Sequence, residues 1–182
     1  MTFWSRKAAG FAAGEEGGIA VGGLIFMVIF LAVGGIAVDL SNAVNIRAQL
    51  QMTADSVAHD ALYERNFTLG ATPASAKASA LALGMDNMNQ DFHGVVLATA
   101  DIEFGLWDAS TRRFTPEENS RTAVRVTTHR DEAGANEVGT FLLKFAGFDS
   151  WNVRTSAVFE TYRPDCLREG FVAENMVDIQ SN

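Results

Sequence analysis

The chain has 182 residues, with 14 Lys plus Arg against 22 Asp plus Glu, a formal net charge of -8 and 48% hydrophobic residues. The basic residues are scattered singly apart from Arg6–Lys7 and Arg112–Arg113, which argues against nucleic acid and against a polybasic lipid-binding surface. One cysteine, Cys166, rules out an intramolecular disulfide, and the length left after a long apolar stretch suits one modest domain.

Residues 1–16 form a short head, basic at Arg6 and Lys7 and acidic at Glu15 and Glu16. Within it Gly10 and Phe11, with Glu15 at the fifth position after the glycine, resemble a type IV prepilin leader. That resemblance implies a membrane peptidase cutting after Gly10. Glu16, Gly17 and Gly18 depart from it, because pilins carry large apolar residues there.

Residues 17–38 contain no charge and almost nothing polar; Glu16 and Asp39 close the two ends. As a helix the stretch reaches roughly 30 Å, the thickness of a bilayer's hydrocarbon core. A secretory signal has a shorter apolar core and a small-x-small site, whereas Asp39-Leu40-Ser41-Asn42 offers none. A retained transmembrane anchor is therefore expected. Arg6 and Lys7 precede it and only Arg47 follows closely, so the N-terminus is placed in the cytoplasm. Gly18 and Gly22 form a G-x-x-x-G pair, a candidate helix-packing face in lipid.

Helical spacing continues beyond the span through Leu40, Val44, Leu50, Ala54, Val57 and Ala61, with no proline before Pro73. One helix is expected from Gly18 to Arg65, leaving the bilayer as an amphipathic stem over residues 39–65. A second helix is expected from Ala74 to Leu83, with Asp86 to Gln90 as a connector.

The period then changes. Asp101 to Trp107 alternates, with Ile102, Phe104 and Leu106 on one face. Ala123 to Thr128 alternates again. Asn136 is expected to cap a helix from Glu137 to Ala146, whose residues Phe141, Leu142, Leu143 and Phe145 would be core. Trp151 to Tyr162 reads as the last strand, stopped by Pro164. The fold class expected is α+β: one N-terminal transmembrane helix, a helical stem, then a small domain over residues 66–164 with an antiparallel sheet and short helices. Residues 165–182 form a tail that looks like the start of a further region.

Reactive constellations are missing. His59, His93 and His129 are far apart in sequence, without metal-ligand spacing, and no G-x-S-x-G elbow or P-loop occurs. No catalysis, metal, cofactor or small-molecule substrate is expected.

Phe11, Glu15–Glu16, Gly18 to Val21, the span, Gly35 to Asp39, then Leu50-Gln51, Ala54-Asp55 and Ala58 to Ala61 are similar to the TadE/TadG-like proteins of the tight-adherence (Flp) pilus-assembly system. In that family a membrane helix ends in an aspartate, and a stem follows with leucine-glutamine and alanine-aspartate-alanine runs. The stem here departs at His59 and Asp60, and no von Willebrand-type domain follows. The resemblance implies a bacterial inner-membrane protein, single-pass, with its bulk periplasmic. Its partners would be membrane lipid and other pilus-assembly membrane proteins met through span and stem, and its work would be pilus assembly, adhesion or surface attachment. A peptidase-processed minor pilin and a single-pass periplasmic ligand-binding module are the alternatives.

Overall fold

A computed structural model of the chain describes residues 16–161. Its longest element is α1, Glu16–Phe67, a single helix of 52 residues. At 1.5 Å per residue it is about 78 Å long. Residues 18–34 of α1 touch almost nothing else, and their large apolar side chains stand exposed. The helix's far part is different. Leu50, Ala54, Val57, Ala58, Ala61 and Leu62 are buried on one face at three- and four-residue steps.

Helix α2, Pro73–Asn87, packs against that far part. Its start is a reciprocal cap. Thr72 Oγ1 accepts from the Ser75 amide at 3.1 Å, Ser75 Oγ accepts from the Thr72 amide at 2.9 Å, and Pro73 supplies the fixed φ of a first helical residue. Ala76, Ala80 and Gly84 form its buried stripe. A Cβ on Gly84 would sit 2.8 Å from Leu97 Cδ2 and 3.1 Å from Val57 Cγ2, so a larger residue would push those side-chain ends aside. The expected connector at Asp86 is instead the last turn of α2, and a short helix α3, Gln90–His93, follows behind the Asn89 cap.

The sheet has the order β2-β1-β3-β6 with every pair antiparallel. Its strands are β1 (Ile102–Asp108), β2 (Arg113–Pro116), β3 (Ala123–Arg130) and β6 (Val153–Glu160). Register sets Ile102 opposite Val126, Phe104 opposite Val124, Val126 opposite Ala157 and Thr128 opposite Thr155. These residues make the buried face, and α1 lies on it through β3 and β6. The other face carries Glu103 and Arg125, paired at 2.6 Å, with Arg125 over the Phe114 ring.

At the interface of helix and sheet, the Thr128 hydroxyl donates to the Leu50 carbonyl at 3.0 Å and lies 2.9 Å from Thr155 Oγ1. A small separate hairpin, β4 (Val138–Gly139) with β5 (Ser150–Trp151), projects from this end of the sheet.

Six expectations are corrected. Residues 137–146 are not one helix: they form β4, then a 3₁₀ turn at Leu143–Ala146 closed by Gly147 at φ +89°. Asn136 does not cap it. Its amide nitrogen donates to the Val95 and His93 carbonyls at 3.0 and 3.2 Å, and its oxygen accepts from the Asp131 amide at 2.9 Å. Phe141, Leu142 and Phe145 are exposed rather than core. Leu106 is exposed as well. On the stem, Leu40 and Val44 stay open, while Ile46 and Leu50, on the other side of α1, pack into the core. The last strand is also interrupted: Trp151 belongs to the hairpin, and Asn152 separates it from β6.

Candidate functional site

Asp39 terminates the apolar stretch, and its side chain is buried. The reason is a loop from the opposite end of the chain. The amides of Phe141, Leu142 and Leu143 donate to its two carboxylate oxygens at 2.6, 3.0 and 2.7 Å. Three successive backbone donors around one carboxylate make an anion nest. The buried charge is thereby compensated by strong, charge-assisted bonds. Burial pushes the Asp39 carboxyl up. The amides of Leu143, Phe141 and Leu142, with the nearby Lys144 ammonium, outweigh it and hold the group below its ordinary 3.8.

One turn earlier on the same face is Gly35, the other buried residue of this segment. Leu142 lies over it, its Cβ 2.9 Å from where a glycine Cβ would be. Gly35 and Asp39 therefore act as one surface. The glycine makes room for the loop and the aspartate holds its backbone. The spacing Gly-x-x-x-Asp was visible in the sequence as an i, i+4 pair on one helix face. Its partner was not, because more than 100 positions separate Asp39 from Phe141.

The stem motif lies farther along α1. Leu50 and Ala54 are buried against the sheet, and Gln51 Nε2 donates to Asp55 Oδ1 at 2.9 Å across one turn. Leu50 contributes its carbonyl as well as its side chain, through Thr128. At the far end Arg65 is buried and donates to the Ala71 and Asn119 carbonyls, and Asn66 donates to that of Arg121. These bonds tie the last turn of α1 to the loops around it.

Gly18 and Gly22 have open space around them, as do Gly23 and Gly34. The candidate processing residues Gly10, Phe11 and Glu15 lie outside the described residues, as does Cys166. Among the described residues no group of three or more His, Cys, Asp or Glu could hold a metal ion. Among the described residues, one surface groove lies between α1 and α2, lined by Gln49, Met52, Thr53, Ser56, Asn87 and Met88.

The architecture defines a class: one long helix, apolar enough in its first part to cross a membrane, with a small antiparallel sheet built on its second part. Residues 37–158 match the family model Tad_C, described as "Putative Tad-like Flp pilus-assembly". The chain belongs to this Tad-like Flp pilus-assembly family. The match begins two residues before Asp39 and ends within β6, so it includes both Asp39 and the 141–143 loop that clasps it. No curated protein and no solved structure matches the chain.

Proposed function

We propose that this protein is a non-enzymatic, single-pass membrane component of a Tad/Flp-type pilus-assembly system. Residues 17–38 anchor it in the bacterial inner membrane, with the N-terminus cytoplasmic and the sheet module periplasmic. Residues 39–65 form the stem, and neighbouring assembly proteins meet it through span and stem. The observation that carries this reading is the continuity of α1, from a bare apolar stretch into the helix on which the sheet packs. The glycine content of the first part supports it. In water each of Gly17, Gly18, Gly22, Gly23, Gly34 and Gly35 costs the helix about 1 kcal/mol relative to alanine. In hydrocarbon an unpaired backbone group costs several kcal/mol, so helix persists there regardless.

The test is deletion of the coding sequence in the native host, with surface pili counted by electron microscopy. Pili should be lost and should return with the full chain. They should not return with a version whose residues 1–38 are exchanged for a cleavable signal. Unchanged piliation in the deletion strain would refute the reading. Sequencing the mature N-terminus decides the processed form. A start at Phe11 makes the protein a peptidase-processed pilin-like subunit, and a start near Met1 makes it an intact anchor.

A further inference from the structure

Between the two strands of the small hairpin, residues 140–149 form a loop whose three phenylalanine side chains are exposed. Phe141 is 58% exposed, Phe145 83% and Phe148 64%. So many bare aromatic residues in so short a loop are uncommon on a surface facing only water. The loop's place on α1 identifies what covers it. Leu142 rests on Gly35, three residues inside the apolar stretch that ends at Val38. At 1.5 Å per residue that is about 4–5 Å below the end of the stretch. Leu142 therefore shares the depth of the last turn of the span, and the neighbouring phenylalanines flank that turn.

We propose that this loop is a second membrane contact, with Phe141, Leu142, Phe145 and Phe148 seated among lipid chains at the bilayer surface around α1. It rests on the reading of residues 17–38 as a membrane anchor. Two further features fit the lipid occupant. Most of the loop's backbone amides are paired within the protein, which lowers the cost of placing them against lipid. Asp39 takes the amides of residues 141–143, Phe145 donates to Leu142, Gly147 to Lys144 and Phe148 to Leu143. The hydroxyl of Thr140 donates to the Phe148 carbonyl and closes the neck. The loop's one cation, Lys144, stands 5.8 Å from the Phe145 ring centre. An apolar stem with an ammonium tip suits the boundary between acyl chains and phosphate headgroups. Trp151, half-exposed at the base of the hairpin, matches the aromatic residues that favour that boundary.

The contact sets the orientation of the sheet. A single helix can rotate and tilt freely under its stem. A helix with a lipid-seated loop clasped to it cannot, so the sheet presents one fixed face away from the membrane.

The test uses the full chain with Cys166→Ser, reconstituted in phosphatidylcholine–phosphatidylglycerol vesicles. Single cysteines are placed by Phe145→Cys, Phe148→Cys, Phe30→Cys and Thr68→Cys, and each carries an environment-sensitive fluorophore. Lipids bearing a nitroxide on the acyl chain near the headgroup are the quencher. Thr68 lies just past the end of α1, about 43 Å along the helix axis from Asp39, and reports water. Labels at positions 145, 148 and 30 should lose most of their emission, and the label at 68 should keep it. Quenching at 30 with none at 145 or 148 would overturn the loop contact and leave the anchor standing. No quenching at any position would remove the anchor and the proposal together. Emission at 145 that ignores the nitroxide but shifts to the blue as protein density rises would place a second copy on the loop, and the lipid contact would again be overturned.

Discussion

Leu142 lies on Gly35 so closely that a Cβ on the glycine would be 2.9 Å from the leucine Cβ and 3.3 Å from its Cδ1. Helix and loop meet at contact distance only because position 35 has no side chain. Gly34, its neighbour, faces open space. Gly35→Val should push the loop off α1, whereas Gly34→Val should leave it in place. Hydrogen exchange in lipid nanodiscs would show this: amides of residues 141–143 should exchange faster by about an order of magnitude or more in the first variant only. Equal exchange in both would mean that the contact holds nothing.

Asp39 supplies the charge that the same loop requires. Its carboxyl is lowered in the folded protein, so its contribution is complete above the ordinary value of 3.8 and is lost as pH falls through the lowered one. Protection of the Phe141, Leu142 and Leu143 amides, corrected for intrinsic rates, should therefore fall on acidification below about pH 4. In Asp39→Asn it should be low at neutral pH already, with no such acid step. A pH-independent wild-type profile would contradict the clasp.

Asp108 is a second acid-sensitive point, at the other end of the sheet. It accepts from the hydroxyls of Ser110 and Thr111 at 2.6 and 2.7 Å and from both their amides, which hold its carboxyl at about 2. Its contribution is complete above 3.8 and vanishes as pH falls toward 2. Asp108→Asn should loosen the β1–β2 turn at neutral pH while leaving the 141–143 amides protected. That separates the two sites in one exchange experiment.

Thr128 and Thr155 form the polar point in the seam between helix and sheet. Thr128→Val removes the donor to Leu50 and leaves Thr155 without its partner in the buried seam, a loss of about 1–3 kcal/mol. The double variant Thr128→Val with Thr155→Val should recover part of that loss, because no orphaned hydroxyl remains. Urea unfolding in mild detergent would measure both. A double variant as unstable as the sum of the singles would show the two hydroxyls to be uncoupled.

Leu50 and Leu40 are both stem leucines, yet only Leu50 is covered. Leu50→Ala should cost between about 2 and 5 kcal/mol, through lost burial and the cavity left behind. Leu40→Ala should change stability in the same assay by less than about 0.5 kcal/mol.

Local periodicity was enough for much of this chain. The unbroken apolar run and the absence of proline before Pro73 determined α1, and alternation determined β1 and β3, because those signals come from neighbours a few positions apart. Asp39, Leu50, Gln51, Ala54 and Asp55 stood out through the resemblance to the TadE/TadG-like stem. Tertiary structure decided what lies against them. Residues 137–146 have helical-looking spacing, but Asp39 claims three of their amides and Asn136 is claimed by the loop after α3, so that segment folds into a hairpin and a 3₁₀ turn. The apolar side chains of that loop read as core, since hydrophobicity in sequence says that a residue avoids water and not which surface takes it. Only the placement of Leu142 on Gly35, across more than 100 positions, shows that this residue lies against the end of the apolar helix, while Phe141, Phe145 and Phe148 stay exposed.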